Sequence, residues 1–202
     1  MIATQESGAS LQFHPLTTRN WADFEELFGP RGACGGCWCM AWRLGRAPFQ
    51  RNKGARNKQA FHGIVASKEP TGVLAYSAGK PVGWCAVAPR EAYVRLENSR
   101  VLKPVDDRPV WSVSCFYVAR PYRRTGLTQA LLEAAVEYAR QRGAKIVEGY
   151  PQDLRKDLPS AFVWTGLLPT FRKVGFKEVV RRSSTRPIMR KDLHAQEGRF
   201  AV

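Results

Sequence analysis

Two stretches of this sequence hold residue types at spacings that could do chemistry. The first is Arg123-Arg124-Thr125-Gly126-Leu127-Thr128. It follows the apolar run "VWSVSCFYV" (110–118) and precedes a segment whose apolar residues, Leu127, Ala130, Leu131, Ala134, Ala135 and Tyr138, recur with helical period. A strand, a basic glycine-containing loop and a helix start together make an anion site. The first N–H groups of a helix lack internal partners, and the helix dipole adds positive charge at that end. Gly126 lets a phosphate approach the backbone, Arg123 and Arg124 add charge, and Thr128 offers a hydroxyl. A glycine that only relieves a turn reads the same way in isolation.

The second stretch is "CGGCWCMAWR" (34–43). Cys34-x-x-Cys37 has the spacing of zinc ligands or of a redox pair, and Cys39 adds a third thiol. No fourth ligand lies nearby, and Cys37 and Cys39 are only two residues apart. No metal is expected. The loop reads instead as a packed segment in which Trp38 and Trp42 supply apolar walls or serve as ordinary core.

The elements that must position these residues follow from periodicity and punctuation. The pattern predicts a short strand at 11–17 and a helix capped by Thr18 and stopped at Gly29-Pro30. A basic helix is predicted over 53–67 and two strands over 72–90 around Ala78–Pro81. The run 110–118 is apolar or small on both faces, as a central strand requires. A helix from 127 to Gly143, a buried strand at 144–150, a helix from Pro169 and two closing strands complete the chain. The class is α/β or α+β, a single domain over 11–191 with loose tails at 1–10 and 192–202.

Composition narrows the function. The chain has 202 residues, enough for one well-buried domain. No run approaches the roughly 18 uncharged apolar residues of a membrane span, and the start does not read as a secretory signal, so a cytoplasmic protein is expected. The net charge of +15 favours anionic partners, but the cations are spread along the chain. A solvated basic surface is expected rather than a nucleic-acid interface.

"FYVARPYRRTGLTQALLEAA" resembles motif A of the GNAT acetyltransferase superfamily, a strand followed by [QR]-x-x-G-x-[GA] and a helix. Thr128 replaces the final Gly or Ala. "FRKVGFKEV" resembles the family's last helix running into its next strand. The resemblance implies a mostly antiparallel mixed sheet, splayed open between two central parallel strands, with helices on both faces. Acetyl-CoA would lie in the opening as cosubstrate. Its arm would bond the backbone of Phe116 and Val118, and its pyrophosphate would rest on residues 123–128. An amine, on a small molecule or a protein, would attack the thioester directly. A monomer or homodimer is expected.

The family's Tyr acid falls at Phe171 and its occasional Glu base near Ser112, so both roles need other holders. Glu148 is the best base by type, because burial raises a carboxylate's pKa; an ion pair with an arginine is its equal alternative. Tyr150 is the candidate acid or a packed aromatic. The resemblance puts the segment after the first helix over the acceptor, which implies Trp38, Trp42 and Tyr117 as acceptor contacts. The missing acid and base leave open a catalytically degenerate acyl-CoA-binding or sensor protein.

Overall fold

The computed structural model describes residues 10–154 and 163–193. The expected tails lie almost wholly outside the described residues. Seven strands form one sheet: β1 (Gln12–Pro15), β2 (Gly72–Ser77), β3 (Lys80–Pro89), β4 (Trp111–Val118), β5 (Ile146–Gly149), β6 (Lys177–Val180) and β7 (Ile188–Asp192). Their spatial order is β1-β2-β3-β4-β5-β7-β6. Every neighbouring pair is antiparallel except β4 with β5. This is the mixed sheet anticipated above, and its one parallel pair is central.

The parallel pair is short. Trp111, Ser112 and Val113 align with Val147, Glu148 and Gly149, and then the strands part. β4 runs five residues further, to Val118. It stays paired to β3 on its other side, with an irregularity at Ser114, where Val113 aligns with Val87 and Cys115 with Ala86. An extra residue in one strand re-aims the side chains around it. Val113 and Phe116 therefore pack on one face of the sheet, while Cys115 and Tyr117 turn to the other.

Helix α5 (Leu127–Gln141) covers the first face. Its apolar stripe, Leu127, Leu131, Leu132, Ala135 and Ala139, packs on Val73, Ala75, Cys85 and Val87. The helix sits close because Gly83 of β3 has no side chain; a Cβ there would stand 2.9 Å from Leu131. α6 (Leu168–Lys173) adds Leu168 and Phe171 to the same core.

The opposite face is covered by α1 (Trp21–Phe28), α3 (Ala55–Ala66) and the thiol loop. Thr17 rather than Thr18 makes the cap: its hydroxyl accepts from the Arg19 N–H at 3.3 Å and opens a 3-10 turn, Thr18–Asn20, that leads into α1. The basic helix expected at 53–67 is Ala55–Ala66, preceded by a separate α2 (Arg46–Arg51). Gly54, at φ 84°, separates the two. α2 was not among the expected elements; its Pro48 sits in the first turn, where no intrahelical N–H is needed. A third core lies under α4 (Val94–Glu97), where Trp42, Tyr93, Leu96, Leu102, Tyr150 and Ile188 meet.

Candidate active site

Residues 116–128 are built as a strand end, a basic loop and a helix start. Ala119 N–H bonds Val82 O at 2.9 Å. Backbone groups alternate in direction along a strand, so those of Phe116 and Val118 face away from β3, towards the gap left by β5. Beyond them Arg124, at φ 66°, and Gly126, at φ 88°, both take the left-handed conformation. Flanking Thr125, they curl the chain into the first turn of α5, as anion-binding backbone nests do. Gly126 is the N-cap of that 15-residue helix, and no side chain caps it. Nothing lies within 4 Å of where its Cβ would be, so the surface there is open.

The loop's own side chains hold its shape. Arg123 Nε donates to Val118 O at 3.0 Å, and the Thr125 hydroxyl donates to Tyr122 O at 2.8 Å. Arg123, Arg124 and Thr125 are exposed, Thr128 is half-buried, and Leu127 points into the core. Leu127 therefore offers an anion only its backbone.

The gap between β4 and β5 is bridged by a short segment of chain. Phe116 N–H donates to Trp164 O at 2.7 Å, Gln152 N–H donates to Gly166 O at 2.8 Å, and Leu168 N–H donates to Gln152 O at 2.9 Å. Residues 164–167 thus take the place a strand would take beside Phe116. The indole of Trp164 lies 5.6 Å from that of Trp42, and the Arg95 guanidinium lies 5.5 Å from the Trp42 ring. Trp42 Nε1, the Tyr93 hydroxyl and the Thr165 hydroxyl are buried here without a hydrogen-bonding partner of good geometry. Trp164 was not singled out in the sequence. Its role depends on a non-local backbone bond that no spacing encodes.

Glu148 and Tyr150 lie together but not as a free base and acid. Glu148 Oε1 accepts from Arg90 Nη1 at 2.9 Å and from the Tyr150 hydroxyl at 2.6 Å. Its Oε2 accepts from Arg190 Nε at 2.7 Å. Glu148 and Tyr150 are both 0% exposed. A base must reach the proton it removes. This carboxylate has both oxygens occupied and no access to solvent, so the ion-pair alternative is the one the geometry displays. Burial, and next the Glu148 charge, push the Tyr150 phenol well above its ordinary pKa. It holds its proton and spends it on Glu148. Ser112 Oγ, 2.8 Å from that hydroxyl, joins the network to β4. Arg90 and Arg190 were not foreseen. They come from other elements, far away in sequence.

Trp38 is core: its ring stacks on Phe28 at 5.9 Å and lies 6.2 Å from Phe24. It does not line an open wall. Trp42 is also buried but stands beside the β4 gap through Trp164. Tyr117 is half-buried, 5.3 Å from Phe28. Phe171, at the position the resemblance gives to a tyrosine acid, is fully buried against Phe116 and Phe176. Among the described residues no three His, Cys, Asp or Glu side chains are grouped as a metal site, and no helix is long and apolar enough to cross a membrane.

A sheet parted between its two parallel strands, with a left-handed basic loop at the mouth, defines an acyl-transferring enzyme of the type the motif implied. The chain belongs to the acetyltransferase (GNAT) family, whose sequence model matches residues 38–153. Three solved structures share the fold. A GNAT-family acetyltransferase from Listeria monocytogenes 4b F2365 is 8% identical over 93% of this chain and 99% of its own, with a TM-score of 0.57. The protein yncA of Salmonella typhimurium, solved with its cofactor acetyl-CoA, is 12% identical over 95% and 99%, at 0.54. The PaiA N-acetyltransferase of Thermoplasma acidophilum, solved with coenzyme A, is 14% identical over 91% and 99%, at 0.51. The comparison with curated proteins gave no match.

Proposed function

We propose that this enzyme transfers the acetyl group of acetyl-CoA to a primary amine by direct attack on the thioester. The observation that carries this reading is the continuous ligand path from Phe116 to Gly126. It joins outward-facing backbone on β4 to a left-handed loop at the start of α5. The pyrophosphate is assigned to the backbone of residues 124–128, with Arg123 and Arg124 beside it. The cofactor's arm runs along Phe116 and Val118. Its amide displaces the Trp164 carbonyl from Phe116 N–H, so residues 164–167 give way on binding. The amine approaches from the side of Trp42, Trp164 and Tyr117. Coenzyme A bound to the PaiA neighbour and acetyl-CoA bound to the yncA neighbour support the choice of cosubstrate.

With Glu148 and Tyr150 locked together, the rate rests on positioning and on water as proton carrier. Holding amine and thioester together converts a bimolecular step to a unimolecular one. Attack forms the C–N bond, collapse breaks the C–S bond, and the ammonium proton leaves through water as the thiolate is protonated. The acceptor is a small-molecule or protein amine, met by a monomer or homodimer in the cytoplasm.

One observation favours a second reading. Phe171 and Ser112 stand where the resemblance puts an acid and a base, and neither can act as one. The chain would then bind acyl-CoA without turnover. A panel of primary amines with acetyl-CoA, read by release of free thiol, decides between the two. Thiol release that depends on one amine class supports the transferase. Tight acetyl-CoA binding with no release across the panel supports the sensor.

A further inference from the structure

Most of the basic surface is not used by this function. Lys and Arg run through the whole chain, which favoured a merely solvated surface, but the carboxylates are unevenly spread. Between Glu26 and Glu69 there is no Asp or Glu, while eight Lys and Arg fall in the same run, over half of the net +15. The run folds as the thiol loop with the turn before it, α2 and α3, all on one face of the sheet. Arg43 is buried, whereas Arg31, Arg46, Arg51, Lys53 and Arg56 are exposed.

The fold draws these cations together. Gly36 N–H bonds Arg31 O at 2.9 Å, and Gly36 O accepts from Gly54 N–H at 3.0 Å and from Asn57 Nδ2 at 3.2 Å. The Arg31 backbone is thereby tied to the junction of α2 and α3, where Lys53 adjoins Gly54 and Arg56 adjoins Asn57. Gly36 permits the close approach, because a Cβ there would collide with the Gly54 backbone.

The same cations lack partners within the protein. Among the described residues none of the five exposed ones pairs with a carboxylate, and the only ion pair in the run joins Lys58 to Glu25 at 2.6 Å. Elsewhere Arg140 pairs with Glu137, and Arg181 with Glu178, both at 2.7 Å. Arg56 also stands in the first turn of α3, where the helix dipole disfavours a cation. Like charges massed without partners repel one another, and a polyanion relieves that repulsion.

We propose that this face binds single-stranded nucleic acid, its phosphates on Arg31, Arg46, Arg51, Lys53 and Arg56 and a base against Trp21 and His62. The surface chemistry selects this polyanion. The large apolar side chains exposed in the described residues, Leu11, Val94, Val101, Leu167 and Val179, all lie outside the face. An acidic protein would find no apolar anchor there on which to build a contact. A nucleic acid needs none, since its phosphates supply the affinity. Four of the five cations are arginine, whose planar fork matches phosphate oxygens. At the edge of the face an open cleft of about 300 Å³ is lined by Trp21, Lys58, Gln59 and His62, with Glu25 neutralised by Lys58. The rings of Trp21 and His62 lie 4.7 Å apart, edge to face. Gln59 is one helical turn from Arg56, so the cleft adjoins the cations. Aromatic rings beside a cationic track suit unpaired bases, which stack on them.

The test uses the full chain and a fluorescein-labelled oligothymidylate of about 20 nucleotides, read by anisotropy. Binding is expected at about 0.05 M salt, and the logarithm of the association constant should fall against that of salt with a slope of about −3.5, or about −0.7 per cation engaged. Arg51→Gln, Lys53→Gln and Arg56→Gln together should cut that slope by about 2 and weaken binding at 0.1 M salt by about tenfold or more. The melting temperature should hold, because the three side chains are exposed and unpaired. His62→Ala should weaken binding about fivefold and leave the slope unchanged. A control that removes the same charge from another exposed site, Arg172→Gln, Lys173→Gln and Lys177→Gln, should change affinity by less than about twofold. Equal loss in the control would mean that net charge alone attracts the strand. Displacement by coenzyme A would put the strand on the 123–128 loop. Tighter binding of a duplex or of polyglutamate would name a different partner. Each of these outcomes, or no binding at about 0.05 M salt, overturns the proposal. None of the readouts needs acetyl transfer, so its failure and that of the acetyltransferase reading are told apart.

Discussion

Single residues in this protein do work that their types alone do not reveal. Glu148 illustrates this. Its carboxylate lies between Arg90 and Arg190, both nearly fully buried. Removing the anion leaves two buried cations with only their outer carboxylates, Glu97 for Arg90 and Asp106 for Arg190, and breaking such a buried pair costs about 3–5 kcal/mol. Glu148→Ala should therefore lower the urea midpoint strongly, with any loss of turnover following the loss of fold. A variant that keeps wild-type stability yet loses activity would instead restore Glu148 as the base. Arg190 also ties down Asp106 at 2.8 Å. That hydrogen bond first, with help from Arg108, holds the Asp106 carboxyl well below the usual range. A lowered folded pKa means the stabilisation is complete above about pH 5 and is lost as pH falls through the folded value. Asp106→Asn should then show a flatter decline in stability between about pH 4 and 2 than the unaltered chain. Gly126 is the converse case, a residue of little packing value. Its Cβ space is empty but its φ is 88°. Gly126→Val should cost about 1–2 kcal/mol of stability from backbone strain, while acetyl-CoA affinity falls far more. Calorimetric titration beside thermal melting separates the two, and parallel losses would make Gly126 a turn residue only.

At the level of elements, what could be read from the sequence was what is local. The α5 stripe, the double-sided apolar run of β4 and the Arg-Arg-Thr-Gly loop each carry their signal within about 20 residues. The strands and helices from 72 to 192 accordingly fall close to their expected places. What was not legible joins distant segments. Arg90 meets Glu148 across 58 residues, and Cys39 meets Trp84 across 45. The seating of Trp164 on Phe116 is a backbone bond, with no residue type to announce it. Hence the strand end, basic loop and helix start of 116–128 lie where the sequence put them, while Trp38 is core and Glu148 is paired. The 164–167 segment makes a prediction of its own. If the cofactor takes Phe116 N–H from Trp164 O, the two indoles of Trp42 and Trp164, now 5.6 Å apart, must change surroundings. Acetyl-CoA should shift the tryptophan emission, and Trp164→Phe should abolish most of that shift while leaving binding intact. An unchanged shift in Trp164→Phe would show that the segment stays in place and that the arm runs elsewhere.

The whole molecule has a net charge of +15 and an open basic loop at the mouth of a parted sheet. Bringing a phosphorylated ligand to that mouth relieves repulsion among cations and adds an inserted segment between β4 and β5. Both effects favour the native state, because the unfolded chain has neither the loop nor the gap. Acetyl-CoA at 100 times its dissociation constant should add about 2.7 kcal/mol. For a chain of this length each kcal/mol moves the melting temperature by about 2–4 °C, so a rise of roughly 5–10 °C is expected. Part of that binding is electrostatic and exposed to solvent, so affinity should weaken as salt rises from 0.05 to about 0.5 M. Coenzyme A should stabilise nearly as well, since the proposed binding mode gives most contacts to the phosphates and arm. Dephosphorylated pantetheine should stabilise little. Differential scanning fluorimetry with these three ligands decides the matter. No shift with acetyl-CoA, coenzyme A or longer acyl-CoAs would mean that the Trp164 carbonyl is a permanent plug. The chain would then keep the family's fold while having lost its cofactor.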